Sequence, residues 1–170
     1  MIQVRDTAFA EAKLFIPDVY PDTRGYFKES FSRSKYAALG LHDVWLQDSV
    51  SRSKRNVIRG MHYDRRMAKF VQVLLGQVFD VIVDVRPGSP TYKRWQGFEL
   101  TADNHHQLYV PKGFAHGFLA QSDDAIVHYK MSAEYDPAHE GVLSWQDPEV
   151  GIVWPLGGAS PILSPKDAAA

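Results

Sequence analysis

Short runs of β-branched and aromatic residues, broken by Gly, Pro, Asp and Ser, fill most of the chain. The clearest is KFVQVLLGQVFDVIVDV, residues 69–85, in which two runs meet at Gly76-Gln77 and predict a β-hairpin. Side chains alternate along a strand, so one face of the second run should be wholly apolar. That face would hold Phe79, Val81, Val83 and Val85, and the opposite face Asp80, Ile82 and Asp84. Many short strands with turn residues between them predict a sandwich, jelly roll or barrel.

Helical signal is confined to SRSKYAALG, where Ser32 or Ser34 is placed to cap a short helix that ends at Gly40. The segment GGASPILSPKDAAA, residues 157–170, has the composition of a loop or a disordered tail. No internal repeat or low-complexity linker divides the chain. We therefore expect a single all-β domain that spans residues 1–170.

Charge and composition exclude several classes of protein. The chain has 19 basic and 20 acidic side chains and a net charge of -1, so no bulk attraction to nucleic acid or an anionic membrane is expected. It has no cysteine, which excludes disulfides and thiolate chemistry. No apolar run has the length of a signal peptide or of a membrane span. A soluble cytoplasmic protein is the expectation.

Three segments contain candidate chemistry. In RGMHY, His62 stands at a strand-to-loop junction, where it is either a surface residue or an acid-base group, and Arg59 is either solvated or bound to phosphate. In PKGFAHGF, a tight turn leads into a strand that holds His116. In HYKMSAEYDPAHE, Tyr129 and Tyr135 would share a face if the strand stayed extended, as packing residues or as a proton donor.

The histidines do not make a convincing metal site. His62 and His116 are two ligands, whereas a site needs three or four that converge. His105 and His106 are neighbours, which would point to opposite faces of a strand, and TADNHHQ is better explained as a polar turn. With too few converging ligands, the sequence does not predict a metal site. The absence of a G-x-G-x-x-G fingerprint agrees with a protein that needs no nicotinamide cofactor.

Eight segments, taken in order, resemble the dTDP-4-dehydrorhamnose 3,5-epimerase family. They are DTRGYFKESF, LQDSVSRS, IRGMHY, GQVFDVIVDVRPGSPTY, PKGFAHGFLA, HYKMSAEYDPAHE, WQDPEVGIVWP and LSPKD. The resemblance runs from about Phe15 to Asp167. It implies a cupin or jelly-roll β-barrel with a few short helices.

The resemblance also implies roles for individual residues. His62 corresponds to the general base, Asp167 to the carboxylate that orients it, Tyr129 to the proton donor and Lys69 to the group that stabilises an enolate. The implied contacts with the nucleotide sugar are Arg24, Glu29, Gln47, Asp48, Ser49, Arg59, His116, Glu140 and Lys166, with Phe27 and Tyr135 as apolar or stacking walls. Ser49 stands where the family usually has asparagine.

The reaction implied is cofactor-independent epimerisation of dTDP-4-dehydro-6-deoxy-D-glucose at C3 and C5, which gives dTDP-4-dehydro-L-rhamnose. The implied assembly is a homodimer in which N-terminal strands are exchanged, so that each site borrows residues from its partner. One alternative is epimerisation at C3 or C5 alone on a related nucleotide-linked 4-keto-6-deoxy sugar. A metal-dependent cupin oxygenase and a non-catalytic sugar-binding cupin are the alternatives from other classes.

Overall fold

The computed structural model describes residues 1–170 and is built almost entirely of strands. The strands are β1 Gln3–Asp6, β2 Lys13–Ile16, β3 Val19–Asp22, β4 Gly25–Lys28, β5 Gln47–Lys54, β6 Ile58–Tyr63, β7 Lys69–Leu75, β8 Gln77–Asp84, β9 Trp95–Thr101, β10 Gln107–Val110, β11 Phe114–Ala120, β12 Asp124–Met131 and β13 Gly141–Val142. Two short helices, α1 Arg33–Ala37 and α2 Pro165–Ala168, complete the chain. No helix is long and apolar enough to cross a membrane.

Two antiparallel sheets face each other. The six-stranded sheet has the order β1-β2-β10-β7-β12-β5, and the five-stranded sheet has the order β13-β6-β11-β8-β9. Strands β3 and β4 form a separate hairpin. This arrangement confirms the predicted all-β jelly-roll barrel with a few short helices.

The main core lies between the two sheets. Val71 and Val127 of the six-stranded sheet pack there against Ile82 and Phe118 of the five-stranded sheet. The alternation predicted for β8 is confirmed, because Val81 and Val83 pack in a different cluster with Phe79 and Val85 on the outer side. Asp80 and Asp84 are fully buried on the inner side with Ile82.

The predicted hairpin at Gly76-Gln77 is wrong. β7 pairs with β10 and β12, whereas β8 pairs with β9 and β11, so the chain passes from one sheet to the other at this point. Gly76 has a φ of +74°, and a Cβ there would lie 2.1 Å from the carbonyl oxygen of Asp124. Glycine is therefore required where the chain passes between the sheets. A Gly-Gln pair equally suits a hairpin turn, so the sequence could not distinguish the two structures.

The loop-like C-terminal segment is tied to the barrel at Ile162 and is folded locally at Ser164. Ile162 forms a parallel bridge with Val57, and its amide nitrogen donates to the carbonyl oxygen of Asn56 at 2.8 Å. Ser164 caps α2 by accepting a hydrogen bond from the amide of Asp167 at 3.1 Å. Composition alone gave a loop or a disordered tail, whereas the long-range contacts of Ile162 and the local cap of α2 give the segment a defined structure. The predicted helix α1 is present, although its N-cap Ser32 makes no side-chain capping bond.

Candidate active site

A cavity of about 300 Å³ opens between the two sheets. It brings together most of the residues that the sequence singled out, although they come from both sheets and from the C-terminal segment. These are Ser49, Arg59, His62, Lys69, His116, Tyr129, Tyr135, Glu140 and Asp167.

His62 lies near the end of β6, and only one of its two ring nitrogens makes a hydrogen bond. Its Nε2 is 2.6 Å from Oδ1 of Asp167, while its Nδ1 is 3.6 Å from Oε1 of Glu140, too far for a hydrogen bond. Because a carboxylate only accepts, the Nε2 nitrogen carries the proton in this pair. The lone pair of the neutral imidazole then resides on Nδ1.

Two glycines let β6 and β11 approach closely beside His62. A Cβ at Gly117 would lie 2.6 Å from the carbonyl oxygen of Arg59, and one at Gly60 would lie 2.6 Å from the Cα of Gly117. This close packing sets the register in which His62 is opposite His116. Both imidazoles are thereby fixed on neighbouring strands of the same sheet.

Asp167 reaches His62 from the C-terminal segment and is only 2% exposed. Its backbone is held by the Ser164 cap of α2, so the carboxylate is oriented by local structure as well as by the imidazole. The two residues are 105 positions apart in the sequence. The pairing that the resemblance implied is present in the fold.

Glu140 lies on the other side of the imidazole and is itself bound by two groups. It accepts a hydrogen bond from the hydroxyl of Tyr135 at 3.0 Å and pairs with the ammonium of Lys166. Burial alone would raise the pKa of Glu140, but the hydrogen bonds from Lys166 and Tyr135 hold it below its ordinary value. Glu140 is therefore an anion close to His62, and Lys166 acts on the site through it.

Tyr129 projects into the cavity from β12, on the sheet opposite His62. Its hydroxyl is 2.9 Å from Oγ of Ser51. Burial raises the pKa of Tyr129, and the hydrogen bond with Ser51 offsets part of that rise. β12 ends at Met131, so no single extended strand holds both Tyr129 and Tyr135, although both line the cavity.

His116 makes a second pair with a carboxylate. Its Nε2 lies 2.9 Å from Oδ2 of the fully buried Asp80, and its ring meets Tyr129 edge-on with a centroid separation of 6.2 Å. No group of three or more His, Asp or Glu side chains is arranged to hold a metal ion.

Lys69 is the first residue of β7 and enters the cavity from the same sheet as Tyr129. Its ammonium donates to the backbone carbonyl oxygen of His62 at 3.2 Å. Burial lowers the pKa of Lys69 to about 8, and the carboxylates of Glu140 and Asp80 oppose this change. The ammonium of Lys69 therefore lies close to His62 and is near the middle of its titration at mildly alkaline pH.

Arg59 marks the solvent edge of the cavity. Its Nε donates to Oγ of Ser53 at 2.9 Å and its Nη2 to the carbonyl oxygen of Arg52 at 3.0 Å. Its Nη1 makes no hydrogen bond within the chain, and the side chain is exposed. Gln47 does not line the cavity itself but supports the wall, since its Oε1 accepts from the amide of Tyr135 at 2.8 Å and its Nε2 donates to Ser49.

Besides Gln47 and Lys166, which support residues of the cavity wall, four of the expected contacts lie away from the cavity of this chain. Asp48 is on the outer face of β5, where it binds Lys130 at 2.9 Å, because it alternates with the inward-facing Ser49. Arg24 binds Asp22 at 2.6 Å, Glu29 binds Lys35 at 3.0 Å, and Phe27 is 70% exposed. Arg24 and Phe27 belong to the β3–β4 hairpin.

The sequence reasoning missed several residues of the cavity wall. They include Ser51, Tyr63, Asp64, Met67, Met131 and Ser164. A signal existed for Ser51, because it lies two positions after Ser49 in a strand and must share its face. The buried Asp80 had a weaker signal, since an acidic residue on the inner face of β8 needs a partner there.

Comparison with known proteins gives one consistent result. The family model for dTDP-4-dehydrorhamnose 3,5-epimerase matches residues 6–170. The dTDP-4-dehydrorhamnose 3,5-epimerase of Neisseria gonorrhoeae is 45% identical over 170 residues, which cover 99% of this chain and 52% of that protein. The chain thus spans about half the length of this relative.

Solved structures agree with the sequence comparison. The dTDP-6-deoxy-D-glucose-3,5-epimerase RmlC of Legionella pneumophila, in complex with dTDP-4-keto-L-rhamnose, is 44% identical and superposes with a TM-score of 0.96 over 100% of this chain and 92% of that chain. ChmJ, a 3'-monoepimerase from Streptomyces bikiniensis in complex with dTDP-quinovose, is 34% identical with a TM-score of 0.91 over 96% and 84% of the two chains. The resemblance that eight sequence segments carried is confirmed, and the chain belongs to the dTDP-4-dehydrorhamnose 3,5-epimerase family.

Proposed function

We propose that this chain epimerises dTDP-4-dehydro-6-deoxy-D-glucose at C3 and C5, giving dTDP-4-dehydro-L-rhamnose without a cofactor. The observation that carries this proposal is the placement of His62 and Tyr129 on opposite sheets with the cavity between them. Inversion at carbon requires that a proton leave one face of the sugar and another arrive on the opposite face. A base and an acid on facing walls meet that requirement.

The first step is removal of the proton from C3 or C5. Both carbons are adjacent to the C4 ketone, so loss of their proton gives an enolate rather than an isolated carbanion. Nδ1 of His62 accepts the proton, and the resulting imidazolium lies between the carboxylates of Asp167 and Glu140. A positioned base of this kind contributes about 10²–10⁴-fold in rate.

The second requirement is a charge partner for the enolate oxygen. Lys69 supplies an ammonium within the cavity, and its bond to the carbonyl oxygen of His62 keeps it next to the base. In a site from which water is largely excluded, such a cation stabilises developing negative charge strongly.

The third step delivers a proton to the opposite face. The O–H bond of Tyr129 breaks and a C–H bond forms at the enolate carbon. The phenolate is then reprotonated from solvent and the imidazolium of His62 releases its proton to solvent, which restores both groups for the second carbon. Because the pKa of Tyr129 is raised by burial, the phenol is fully protonated at neutral pH before the transfer. The diphosphate of the substrate would meet Arg59 at the cavity edge, since Arg presents paired donors to phosphate.

Incubation in D₂O tests the reaction. Protein and dTDP-4-dehydro-6-deoxy-D-glucose are mixed in D₂O, and the recovered sugar is analysed by NMR. Deuterium at both C3 and C5, with inversion, supports the proposal. If no deuterium enters either carbon with any of several nucleotide sugars, the proposed epimerase would be rejected. A non-catalytic sugar-binding cupin would then be the better explanation.

A single epimerase is the second candidate, because the 3'-monoepimerase ChmJ has the same fold at a TM-score of 0.91. In the D₂O experiment it predicts deuterium and inversion at one carbon only. The same spectrum therefore separates the two reactions.

We also propose a homodimer in which the N-terminal hairpin enters the partner's site. In support, the β3–β4 hairpin projects Phe27, Tyr26 and Tyr20, which are 70%, 52% and 58% exposed, and its Arg24 is bound only by Asp22 in this chain. Apolar side chains on a protruding hairpin are typical of contact surfaces.

Mixed dimers test the exchange. His62→Asn and Arg24→Ala are each expected to be nearly inactive alone, but in mixed dimers one of the two sites combines an intact His62 with an intact Arg24. Mixing the two variants should therefore restore activity to about one quarter of all sites. No recovery, despite mixed dimers detected by mass spectrometry, would contradict the exchange.

We further propose that the protein is located in the cytoplasm. The support is its family, since nucleotide-linked sugars are intermediates of metabolism inside the cell. Cell fractionation followed by immunoblotting would show the protein in the cytosolic fraction.

A further inference from the structure

The inner face of β5 carries three serines, and each is bound to a side chain of the candidate site. Ser49 accepts from Gln47 at 3.0 Å, Ser51 lies 2.9 Å from the hydroxyl of Tyr129, and Ser53 accepts from Arg59 at 2.9 Å. Gln47 and Arg59 have other hydrogen-bond partners as well. Tyr129 has none, so its hydroxyl depends on Ser51 alone.

We propose that Ser51 is a positioning residue for Tyr129: it turns the phenolic proton toward the sugar and stabilises the phenolate that remains after the proton has left. This inference rests on the proposed function, in which Tyr129 is the acid. It adds a residue that acts through Tyr129 rather than on the substrate.

The direction of the hydrogen bond carries the first half of the argument. If Tyr129 donated to Ser51, its proton would point into the barrel wall and away from the sugar. If Ser51 donates instead, the phenolic O–H is free to point into the cavity. Strand β5 fixes the geometry of this pair, because it is hydrogen-bonded to β12 along its whole length.

The charge produced by proton transfer carries the second half. When the O–H bond of Tyr129 breaks, the negative charge stays on an oxygen in a largely buried position. The same Ser51 hydroxyl then donates to an anion, and hydrogen bonds to charged groups are stronger than neutral ones. The bond therefore strengthens as the transition state is approached, which is the condition for an effect on the rate of the step.

Other groups near Tyr129 are not placed to replace Ser51. His116 meets the tyrosine ring edge-on, and its Nε2 is committed to Asp80. The guanidinium of Arg59 lowers the pKa of Tyr129 through its charge, but its own hydrogen bonds go to Ser53 and to a backbone carbonyl.

The test is a double-mutant cycle between Ser51 and Tyr129. Ser51→Ala should lower kcat for inversion by roughly 10–100-fold, the range for loss of a hydrogen bond to a charged group. Binding of dTDP, measured by calorimetry, and the melting temperature should not change. Ser51→Thr keeps the hydroxyl and should restore most of the activity.

The phenylalanine background separates this role from a direct contact with substrate. In Tyr129→Phe there is no phenolic proton to orient, so adding Ser51→Ala should have no further effect on the residual rate. An equal loss in both backgrounds would overturn the proposal and place Ser51 on the sugar instead. If Tyr129→Phe alone is fully active, the proposed acid is wrong, and that outcome is distinct from a failure of Ser51.

The ratio of deuterium exchange to inversion distinguishes a positioning role from a structural one. A loss of structure would lower both rates together and leave their ratio unchanged. Proton removal by His62 does not need Ser51, so Ser51→Ala should still incorporate deuterium into the sugar in D₂O. The ratio of exchange to inversion should therefore rise by the same factor by which kcat for inversion falls. A parallel loss of exchange and inversion would contradict the proposal.

Discussion

Asp84 and Asp167 are both almost fully buried carboxylates, at 0% and 2% exposure, yet their surroundings differ in kind. Asp84 accepts from Arg86, Ser89 and Thr91, all within seven positions of it in the sequence. The side chain of Asp167 has one partner, Nε2 of His62, which is 105 positions away. One carboxylate is saturated by local donors, whereas the other is bound to a group with a free second nitrogen.

The difference separates a structural site from a chemical one. Burial alone would raise the pKa of Asp84, but hydrogen bonds from Arg86, Ser89 and Thr91 hold it well below its ordinary value. Both carboxylate oxygens of Asp84 are occupied by these donors. At His62, by contrast, Nδ1 makes no hydrogen bond, and an acid-base group needs such a free nitrogen to exchange a proton with a ligand.

Replacement of His62 should have the largest effect. His62→Asn removes the proposed base and should lower turnover by about 10²–10⁴-fold, the contribution of a positioned base. Stability should change little, since the residue lies at the edge of the cavity. Turnover followed by NMR and a thermal melt measure the two quantities. A folded variant with near-normal turnover would remove His62 from the role of base.

Asp84→Asn should give the opposite result, a loss of stability without a loss of turnover. The amide places a donor where Arg86, Ser89 and Thr91 already donate. Because Arg86 is 32% exposed and can be partly rehydrated, we expect a loss of about 2–3 kcal/mol in the free energy of unfolding. Urea titration measures this quantity. Unchanged stability would show that the cluster is not structural.

The lowered pKa of Asp84 also makes its contribution to stability depend on pH. The pKa of Asp84 is lowered in the folded state, so its contribution is complete above the unfolded value of about 3.9. It is lost as the pH falls below about 4 toward the folded pKa. The difference in the free energy of unfolding between the native protein and Asp84→Asn should therefore shrink as the pH falls from about 5 to about 3. A constant difference over this range would contradict the linkage.

Asp167→Asn makes the identical chemical change at the second carboxylate. It removes one charge-assisted hydrogen bond to the imidazole, so turnover should fall roughly 10–100-fold, less than in His62→Asn. The free energy of unfolding should change less than in Asp84→Asn. If both Asp variants lost stability equally and Asp167→Asn kept its turnover, the distinction between the two carboxylates would fail.

Arg59 tests whether the cavity edge binds phosphate. Arg59→Ala should weaken the binding of dTDP about tenfold, which is the lower end of the range for hydrogen bonds to charged groups, because the side chain is exposed. Isothermal titration calorimetry at constant salt measures the change. Arg55→Ala is a matched control, since that arginine is bound by Asp123 away from the cavity. Equal affinities for all three proteins would exclude this role.

The smallest expected effect is the alkaline limit of activity. If the ammonium form of Lys69 stabilises the enolate, kcat should fall to half at about pH 8, where that residue loses its proton. Lys69→Arg keeps the charge and should move this limit to higher pH, although at a lower maximal rate. A limit near pH 8 that persists in Lys69→Arg would belong to another group.

Local patterns predicted faces better than partners. Alternation correctly separated Val81 and Val83 from Ile82 and Asp80, because the side of a strand follows from geometry alone. It did not predict which strand lies beside β8, since any neighbour with a compatible apolar face would serve. The hairpin expected at Gly76 failed for that reason.

The candidate site was predictable mainly where a motif marked it. His62 and Tyr129 stood out by residue type, but the pairing of His62 with Asp167 came only from the family resemblance. Asp48 shows the limit of carrying a contact over one residue at a time, because the alternation of β5 turns it away from the cavity. Ser51 was visible from the same alternation and was overlooked.

The pairing of His62 with Asp167 also has a consequence during synthesis. A ribosome that adds about 5–20 residues per second needs roughly 5–20 s to pass from the first residue to the second, which are 105 positions apart. In the first part of that interval, before residue 131 has been added, β5 and β6 lack β12 and β11, so the nascent chain presents unpaired strand edges. We expect such a chain to depend on chaperones until β12 has emerged, and to form the His62–Asp167 pair only after the barrel has closed.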